Sequence, residues 1–264
     1  MKQPLKVVPP IRLKDFNPDY HAGLDKEATR EKTEKLCQRI ADLQNLLYAN
    51  AKQSVLILLQ GMDTSGKDGA VKSLLKFVMP FEIEVTSFKQ PTSEELARDF
   101  LWRIHKAVPK HGHIGVFNRS HYEDVLIVRV MDLQPKKVWQ ARYAQIDGFE
   151  KYLAANDVIL LKFFLHISKD EQARRLRARL EDPRKNWKFE AADLEMRAKW
   201  DDFQKAYEDA LNHCSPALTP WHIVPSDRKW YRDYVIAQTV VDRLDKLKLK
   251  WPKPIKNISK IKIV

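Results

Sequence analysis

Residues 54–69 read Ser54-Val55-Leu56-Ile57-Leu58-Leu59-Gln60-Gly61-Met62-Asp63-Thr64-Ser65-Gly66-Lys67-Asp68-Gly69, and this stretch decides the fold. Its first seven residues are apolar and rich in branched side chains, as a strand buried on both faces requires. Beyond it, Ala70, Leu74, Phe77 and Val78 share one face of a helix. Between strand and helix lies G-x-x-x-x-G-K, the spacing of a phosphate-binding loop. Gly61 and Gly66 let the backbone turn without a clashing side chain, so that amide N–H groups converge on a phosphate. The helix N-terminus adds partial positive charge and Lys67 a full cation. Thr64, Ser65, Gly66, Lys67 and Asp68 are therefore candidate phosphate ligands. The Ser or Thr that ordinarily follows the lysine and holds Mg²⁺ is here Asp68. A metal must find another ligand, and Asp63 and Asp68 both offer a hard carboxylate oxygen.

Working outward, the 264-residue chain is long enough for a substantial core. Its formal charge of +12 and pI of about 9.5 create a field that favours anions. Charge alone admits nucleic acid, anionic lipid and polyphosphate. Two cysteines, Cys37 and Cys214, make no disulfide framework, and a reducing cytosol is the simpler setting. The N-terminus lacks an apolar signal region and no stretch approaches a membrane span. These features predict a cytoplasmic protein without a membrane partner.

Residues 1–25, rich in proline and charge, predict an irregular segment over the body. Lys26–Tyr48 reads as a helix facing inward through Leu36, Ile40, Leu43 and Leu47. Residues 82–88 predict a second strand, and Thr92-Ser93-Glu94-Glu95 has capping-box form, opening a helix to about Ala107. His113–Phe117 predicts a third strand, with Asn118-Arg119-Ser120-His121-Tyr122 as the loop at its carboxyl end. Ligands collect at the carboxyl ends of parallel strands, so this loop should face the phosphate loop. A helix from Glu123, a longer one over Lys136–Ala155 and a strand over Val158–Ile167 follow. Met196, Trp200, Phe203, Tyr207 and Leu211 predict one amphipathic helix. Trp221–Pro225 predicts a last strand and Arg228–Leu247 a last helix. Alternating strands and helices mean an α/β fold, a parallel sheet flanked by helices on both sides.

We read 1–264 as a single domain. It comprises an N-terminal extension and helix (1–50), a phosphate-loop core (51–168), a helical lid (169–190), C-terminal helices with the last strand (191–250) and a basic tail (251–264). Arg119, at a strand end opposite the phosphate loop, can grip two phosphate oxygens at once. Glu123 and Asp124 either complement a helix dipole or serve an acceptor by holding Mg²⁺ or taking a hydroxyl proton. Arg175 and Arg179 lie one turn apart in a run rich in arginine. That run reads as a mobile basic lid or as a solvated, salt-bridged helix. Lys89 and Arg103 lie where an acceptor nucleotide would rest, or are ordinary surface charge. His105, His111, His113 and His121 show no convincing metal-ligand spacing.

Three ordered stretches carry a resemblance over about residues 25–245: 61–69, 117–122, and 168–188 from Ser168-Lys169-Asp170-Glu171-Gln172 through Arg175, Arg179, Asp182-Pro183, Lys185 and Trp187-Lys188. Trp221 and Asp227-Arg228-Lys229 add to it. The chain resembles the type 2 polyphosphate kinases. That family is similar in fold to thymidylate kinases, which implies the P-loop kinase fold. It moves a terminal phosphate from inorganic polyphosphate to a nucleotide, with Mg²⁺ or Mn²⁺. The resemblance implies that Asp63 binds the metal and that Lys67 and the loop amides hold the transferring phosphate. It further implies that Arg119 holds the acceptor phosphate, with Lys89, Asn118, Tyr122, Glu123 and Asp124 around the nucleotide, and that Arg175 and Arg179 close over the site. Many members carry Asp where this chain has Asn118, which bears on any metal role there. The Tyr122-Glu123-Asp124 continuation is similar to the subgroup that accepts both AMP and ADP, others having Asn at the Glu123 position. A homo-oligomer, dimer or tetramer, is also expected.

Two other functions compete. An ATP-dependent nucleoside monophosphate kinase would need a base pocket on the donor side, whereas a long polyanion needs a basic track, which the charge favours. A non-enzymatic polyanion or nucleic-acid binder would leave the phosphate loop idle, and no aromatic-plus-basic module is evident.

Overall fold

The computed structural model describes residues 6–254 and 256. Helix α1 (Lys26–Asn50) starts where the Asp25 carboxylate accepts the Ala28 amide and stops at Ala51 in the left-handed conformation. Then follow β1 (Ser54–Gln60), α2 (Lys67–Leu74), β2 (Ile83–Ser87), α3 (Ser93–Leu96), α4 (Trp102–Lys106) and β3 (Ile114–Asn118). Next come α5 (Ile127–Val130), α6 (Lys136–Ala155), β4 (Val158–His166), α7 (Lys169–Glu181), α8 (Ala191–Ala198) and α9 (Trp200–His213). β5 (Trp221–Pro225) and α10 (Lys229–Asp245) are the last strand and helix among the described residues.

The five strands are all parallel, in the order β2-β3-β1-β4-β5. Every residue of β1 is buried because the strand is central and covered on both faces. Alternation sends Leu56 and Leu58 to one side, where they meet Phe117, Leu160, Phe164 and Trp221 under α6 and α9. Val55, Ile57 and Leu59 face the other side, with Ile159, Leu161 and Phe163 under α1, α2 and α10. The N-terminal segment crosses the β5 edge: the Val7 amide donates to the Trp221 carbonyl at 2.8 Å, and Lys6 bridges His222. It covers backbone groups that an edge strand would otherwise expose.

The α/β expectation holds, with three local departures. The Thr92–Glu95 capping box forms, but its helix ends after one turn. The Asp99 carboxylate accepts the Leu101 amide at 3.0 Å, a local turn that competes with helical hydrogen bonds, and α4 starts afresh beyond it. In place of a helix from Glu123 there is a 3₁₀ turn, His121–Asp124, followed by α5. Its β-branched run, Val125, Ile127, Val128 and Val130, does little to extend a helix. The stripe from Met196 to Leu211 breaks at Lys199 into α8 and α9. Of the basic tail, only residues 251–254 and 256 lie among the described residues.

Two histidines sit at the β4–β5 seam, His166 buried and His222 half-buried. His166 Nε2 donates to the Phe16 carbonyl at 3.2 Å, and His222 Nδ1 pairs with the Lys162 carbonyl at 3.3 Å. Burial holds each down at about 4, from an ordinary value near 6.5. At pH 7 both are neutral in the folded chain and mostly neutral in the unfolded one, so they contribute little pH dependence there. As pH falls from about 6.5 towards 4, the unfolded chain takes up protons that the folded chain refuses. Stability should decline over that window, by at most about 3 kcal/mol per histidine. Denaturant midpoints measured from pH 7.5 to 4 should show this fall, and His166→Asn should flatten it relative to the parent chain.

Candidate active site

The loop between β1 and α2 owes its shape to glycine. Gly61 has φ +154°, and a Cβ there would meet the Leu165 carbonyl oxygen at 2.7 Å. Gly66 has φ +101°, and a Cβ would run into the Arg232 guanidinium. The Ser65 amide closes the turn on the Met62 carbonyl at 3.1 Å. Among the described residues the buried Thr64 and Ser65 hydroxyls have no hydrogen-bond partner, so the loop keeps unspent polar capacity. Lys67 Nζ folds back to donate to the Gly61 carbonyl (2.7 Å) and the Met62 carbonyl (3.2 Å). Burial pushes its pKa down, with Asp63 opposing and Arg119 adding to the shift.

β3 runs beside β1 with Asn118 level with Leu59. The next residue, Arg119, adopts φ +65° while its amide donates to the Leu59 carbonyl at 3.0 Å. Its Nη2 reaches the Asp63 carboxylate at 2.7 Å. Burial works against the Arg119 charge, but Glu123 and Asp63 outweigh it and hold the pKa up. The Glu123 carboxyl is pushed up by burial and pulled back by Arg119 and Lys67. With its amide turned so that both ends are satisfied, Gln60 donates to Glu123 Oε1 at 3.0 Å and accepts from the Ser120 amide at 3.0 Å, tying the end of β1 to the turn. Asn118 Nδ2 donates to Asp68 Oδ1 at 2.8 Å. Asp63, Lys67, Arg119 and Glu123 thus converge, two cations and two carboxylates at the carboxyl ends of neighbouring strands.

The other candidates divide. Asp124 sits one residue further, its carboxyl pushed up by burial to about 6 against the pull of Arg142 and Arg103. Arg142 donates to it at 3.1 Å. Lys89 is exposed just past β2, and its carbonyl accepts from Arg103 at 2.9 Å. Tyr122 corrects the expectation of a nucleotide contact. It is wholly buried, with its hydroxyl donating inward to Glu150 at 2.8 Å. Arg175 corrects the picture of a mobile lid cation. It is buried, and its Nη1 donates to the Thr64 and Ser65 carbonyls at 2.9 and 3.0 Å. Its Nη2 donates to the Ser226 and Asp227 carbonyls at 2.6 and 3.0 Å, and its Nε to Glu171 at 2.7 Å. A guanidinium so fully engaged braces the phosphate loop against α7 and the end of β5. Arg179, one turn on, is partly exposed and only 3.4 Å from Asp193.

Sequence reasoning missed Gln60, Gln172, Tyr207 and Arg232. Gln172 donates to the Asp63 carbonyl at 3.2 Å. Tyr207 appears in sequence as one more member of an amphipathic stripe, yet it is buried beside Glu123, Asp63 and Arg119. Arg232 lies against Gly66 and Gly69 while donating to Asp233 at 2.6 Å. Nothing in the local sequence of α10 signals this. A recess lined by Leu47, Asn50, Asp157 and Trp251 among others opens at the opposite ends of the strands and contains none of these groups.

Among the described residues no three His, Cys, Asp or Glu side chains are grouped to hold a metal. Asp63 alone, with phosphate oxygens completing the shell, fits Mg²⁺, which binds through one or two carboxylates plus substrate phosphates. Because Arg175 is a brace, Arg175→Ala should cost about 3–5 kcal/mol of stability by stranding buried carbonyls and Glu171. Arg179→Ala should cost no more than about 1 kcal/mol. Denaturant titration of the two variants gives the comparison.

Comparison with known proteins accords with this geometry. Residues 23–252 match the family model described as Polyphosphate kinase 2 (PPK2). The chain is 46% identical over 255 residues to the AMP/ADP-polyphosphate phosphotransferase of Meiothermus ruber, covering 96% of each. It is 44% identical over 239 residues to the ADP-polyphosphate phosphotransferase of Rhodopseudomonas palustris, covering 86% of this chain and 83% of that protein. The crystal structure of polyphosphate kinase 2 from Arthrobacter aurescens matches with a TM-score of 0.94 and 40% identity, over 97% of this chain and 93% of that one. Matches that run through nearly the whole length settle the kinship, and the chain belongs to the polyphosphate kinase 2 family.

Proposed function

We propose that this chain transfers the terminal phosphate of inorganic polyphosphate to AMP and ADP, in a reversible reaction that uses Mg²⁺ or Mn²⁺. The observation that carries the reading is the approach of Arg119 and Glu123, on the acceptor side, to Asp63 and Lys67, on the donor side. An oxygen of the acceptor's terminal phosphate attacks the end phosphorus of polyphosphate. The bond from that phosphorus to the bridging oxygen breaks, leaving the polymer one unit shorter. Little covalent chemistry falls to the protein, so its work is alignment and charge neutralisation. Lys67 leaves the Gly61 and Met62 carbonyls for the phosphoryl oxygens, and the loop amides hold the rest. Arg119 leaves Asp63 for the acceptor phosphate. Asp63 would hold the divalent ion, which would supply neutralisation of the charge developing on the phosphate oxygens.

Polyphosphate rather than ATP as donor is supported by the basic ground behind the phosphate loop. The Lys229 pKa is pushed down first by burial and then by its neighbours Arg175 and Arg232. Arg175 and Arg232 are engaged by backbone carbonyls and by Asp233, and their field adds to that of Lys229, which is exposed and can meet a polyanion. Among the described residues no helix is long and apolar enough to cross a membrane. With AMP or ADP and a divalent metal, polyphosphate should yield product and ATP should not. Lys67→Ala and Asp63→Asn should each lower kcat at least 10²-fold while keeping the fold, as expected when transition-state charge loses a partner. Activity within about tenfold of the parent in either variant would sink the mechanism.

Glu123 offers a sharper check. AMP reaches one phosphate less far than ADP, and a carboxylate beside Arg119 can fill the resulting gap through an ordered water or a second cation. Glu123→Asn should therefore depress kcat/KM for AMP more than for ADP. An unchanged AMP/ADP ratio would remove Glu123 from acceptor choice.

A further inference from the structure

Behind the acceptor turn lies a polar cluster that the reaction as described does not use. Glu150 on α6 and Lys162 on β4 are both wholly buried, with a carboxylate–ammonium contact of 2.5 Å. Around them the oxygens of Glu150 and the N–H groups of Lys162 all find partners, while His121 Nδ1 is buried without one among the described residues. Glu150 Oε1 accepts from the Tyr122 hydroxyl (2.8 Å) and from His121 Nε2 (3.3 Å). Glu150 Oε2 accepts from Lys162 and from the Thr219 hydroxyl (3.2 Å). Lys162 spends its three N–H groups on Glu150, the Tyr122 hydroxyl (3.0 Å) and the Cys214 carbonyl (2.7 Å). Only an acceptor-only group with four lone-pair directions can stand at position 150, because an amide would turn a donor against donors. Since the carboxylate cannot donate, His121 must carry its proton on Nε2.

Two of the four donors to Glu150 come from consecutive residues of the acceptor turn. His121 and Tyr122 stand between Arg119 and Glu123. Arg119 holds φ +65°, a conformation that a non-glycine residue keeps only when its surroundings over-determine it. Gln60 fixes the turn from the β1 side through Ser120 and Glu123. The buried cluster fixes it from the opposite side. Apolar residues of similar volume could fill the same space, and burying an ion pair is not in itself a stabilising choice. What the polar set supplies is a single orientation.

We infer that Glu150, oriented by Lys162, is the positioning residue of the acceptor turn, acting through Tyr122 and His121 to aim Arg119 and Glu123 at the acceptor phosphate. The inference rests on the reading of Arg119 as the acceptor's phosphate ligand. Tyr122→Phe deletes one hydroxyl and no volume. With polyphosphate as donor, it should raise KM for AMP and ADP about fivefold and lower kcat about tenfold, leaving KM for polyphosphate within about twofold. Thr219→Val removes a donor from the same carboxylate but lies off the turn. It should lower the melting temperature and leave the nucleotide constants of the folded enzyme unchanged. If Tyr122 works through Arg119, the loss in Arg119→Ala/Tyr122→Phe should fall well short of the product of the two single losses. Nucleotide KM raised by Arg119→Ala but untouched by Tyr122→Phe, or losses that multiply in full, would overturn the positioning role. Nucleotide KM untouched by Arg119→Ala would overturn the acceptor reading and this inference with it. Should Tyr122→Phe fail to fold, His121→Asn removes the longer contact and is held to the same criteria.

Discussion

Everything at the active site depends on the parallel pairing of β1 with β3, in which Leu59 stands level with Asn118. That register brings two chain turns to the same height above the sheet. One supplies Asp63 and Lys67, the other Arg119 and Glu123. A slip of one residue would turn every side chain of β3 to the opposite face, so the apolar packing on both faces fixes the register. The chemistry therefore inherits its alignment from the core.

The charged groups also need one another. Arg119 rests on Asp63, and Lys67 rests on the carbonyls of its own loop. Each is an exchangeable partnership that a phosphate or a metal can replace. Such mutual satisfaction lets a dense set of ions sit in a partly dry site without unfolding it, because an unpaired buried charge would cost several kcal/mol. Arg175 adds a bond of another kind. Its donors are spent on backbone carbonyls of the phosphate loop and of the β5 terminus, so the base of α7 and the loop are joined as one body. In the chain beyond that base, Arg179 and Lys188 are more exposed and more loosely paired.

Much of this was legible in the sequence because its signals are local. A strand, two glycines and a lysine at fixed spacing require only their own neighbours to form a phosphate cradle. The stripe of Leu36, Ile40, Leu43 and Leu47 defines a helix face by periodicity alone. The departures share a cause too. Beyond α3, which stops at Leu96, Asp99 accepts the Leu101 amide in a side-chain hydrogen bond that apolar periodicity does not register. The acceptor turn is shaped by Ser120, Gln60 and Glu150, residues up to 90 positions apart in the chain.

By itself the sequence determined the order of strands and helices, the phosphate loop and the candidate residues at the ends of β1 and β3, since these follow from spacing and side-chain type. The tertiary structure alone decided which polar residues meet. Tyr122 points inward and Arg119 outward from the same short turn because Glu150 and Lys162, from α6 and β4, wait behind it. Tyr207 and Arg232 reach the phosphate loop from helices far along the chain, Tyr207 beside Asp63 and Arg232 against Gly66. Hydrogen bonds and ion pairs act over a few ångströms of space, and separation along the chain carries no information about that distance until the sheet has formed.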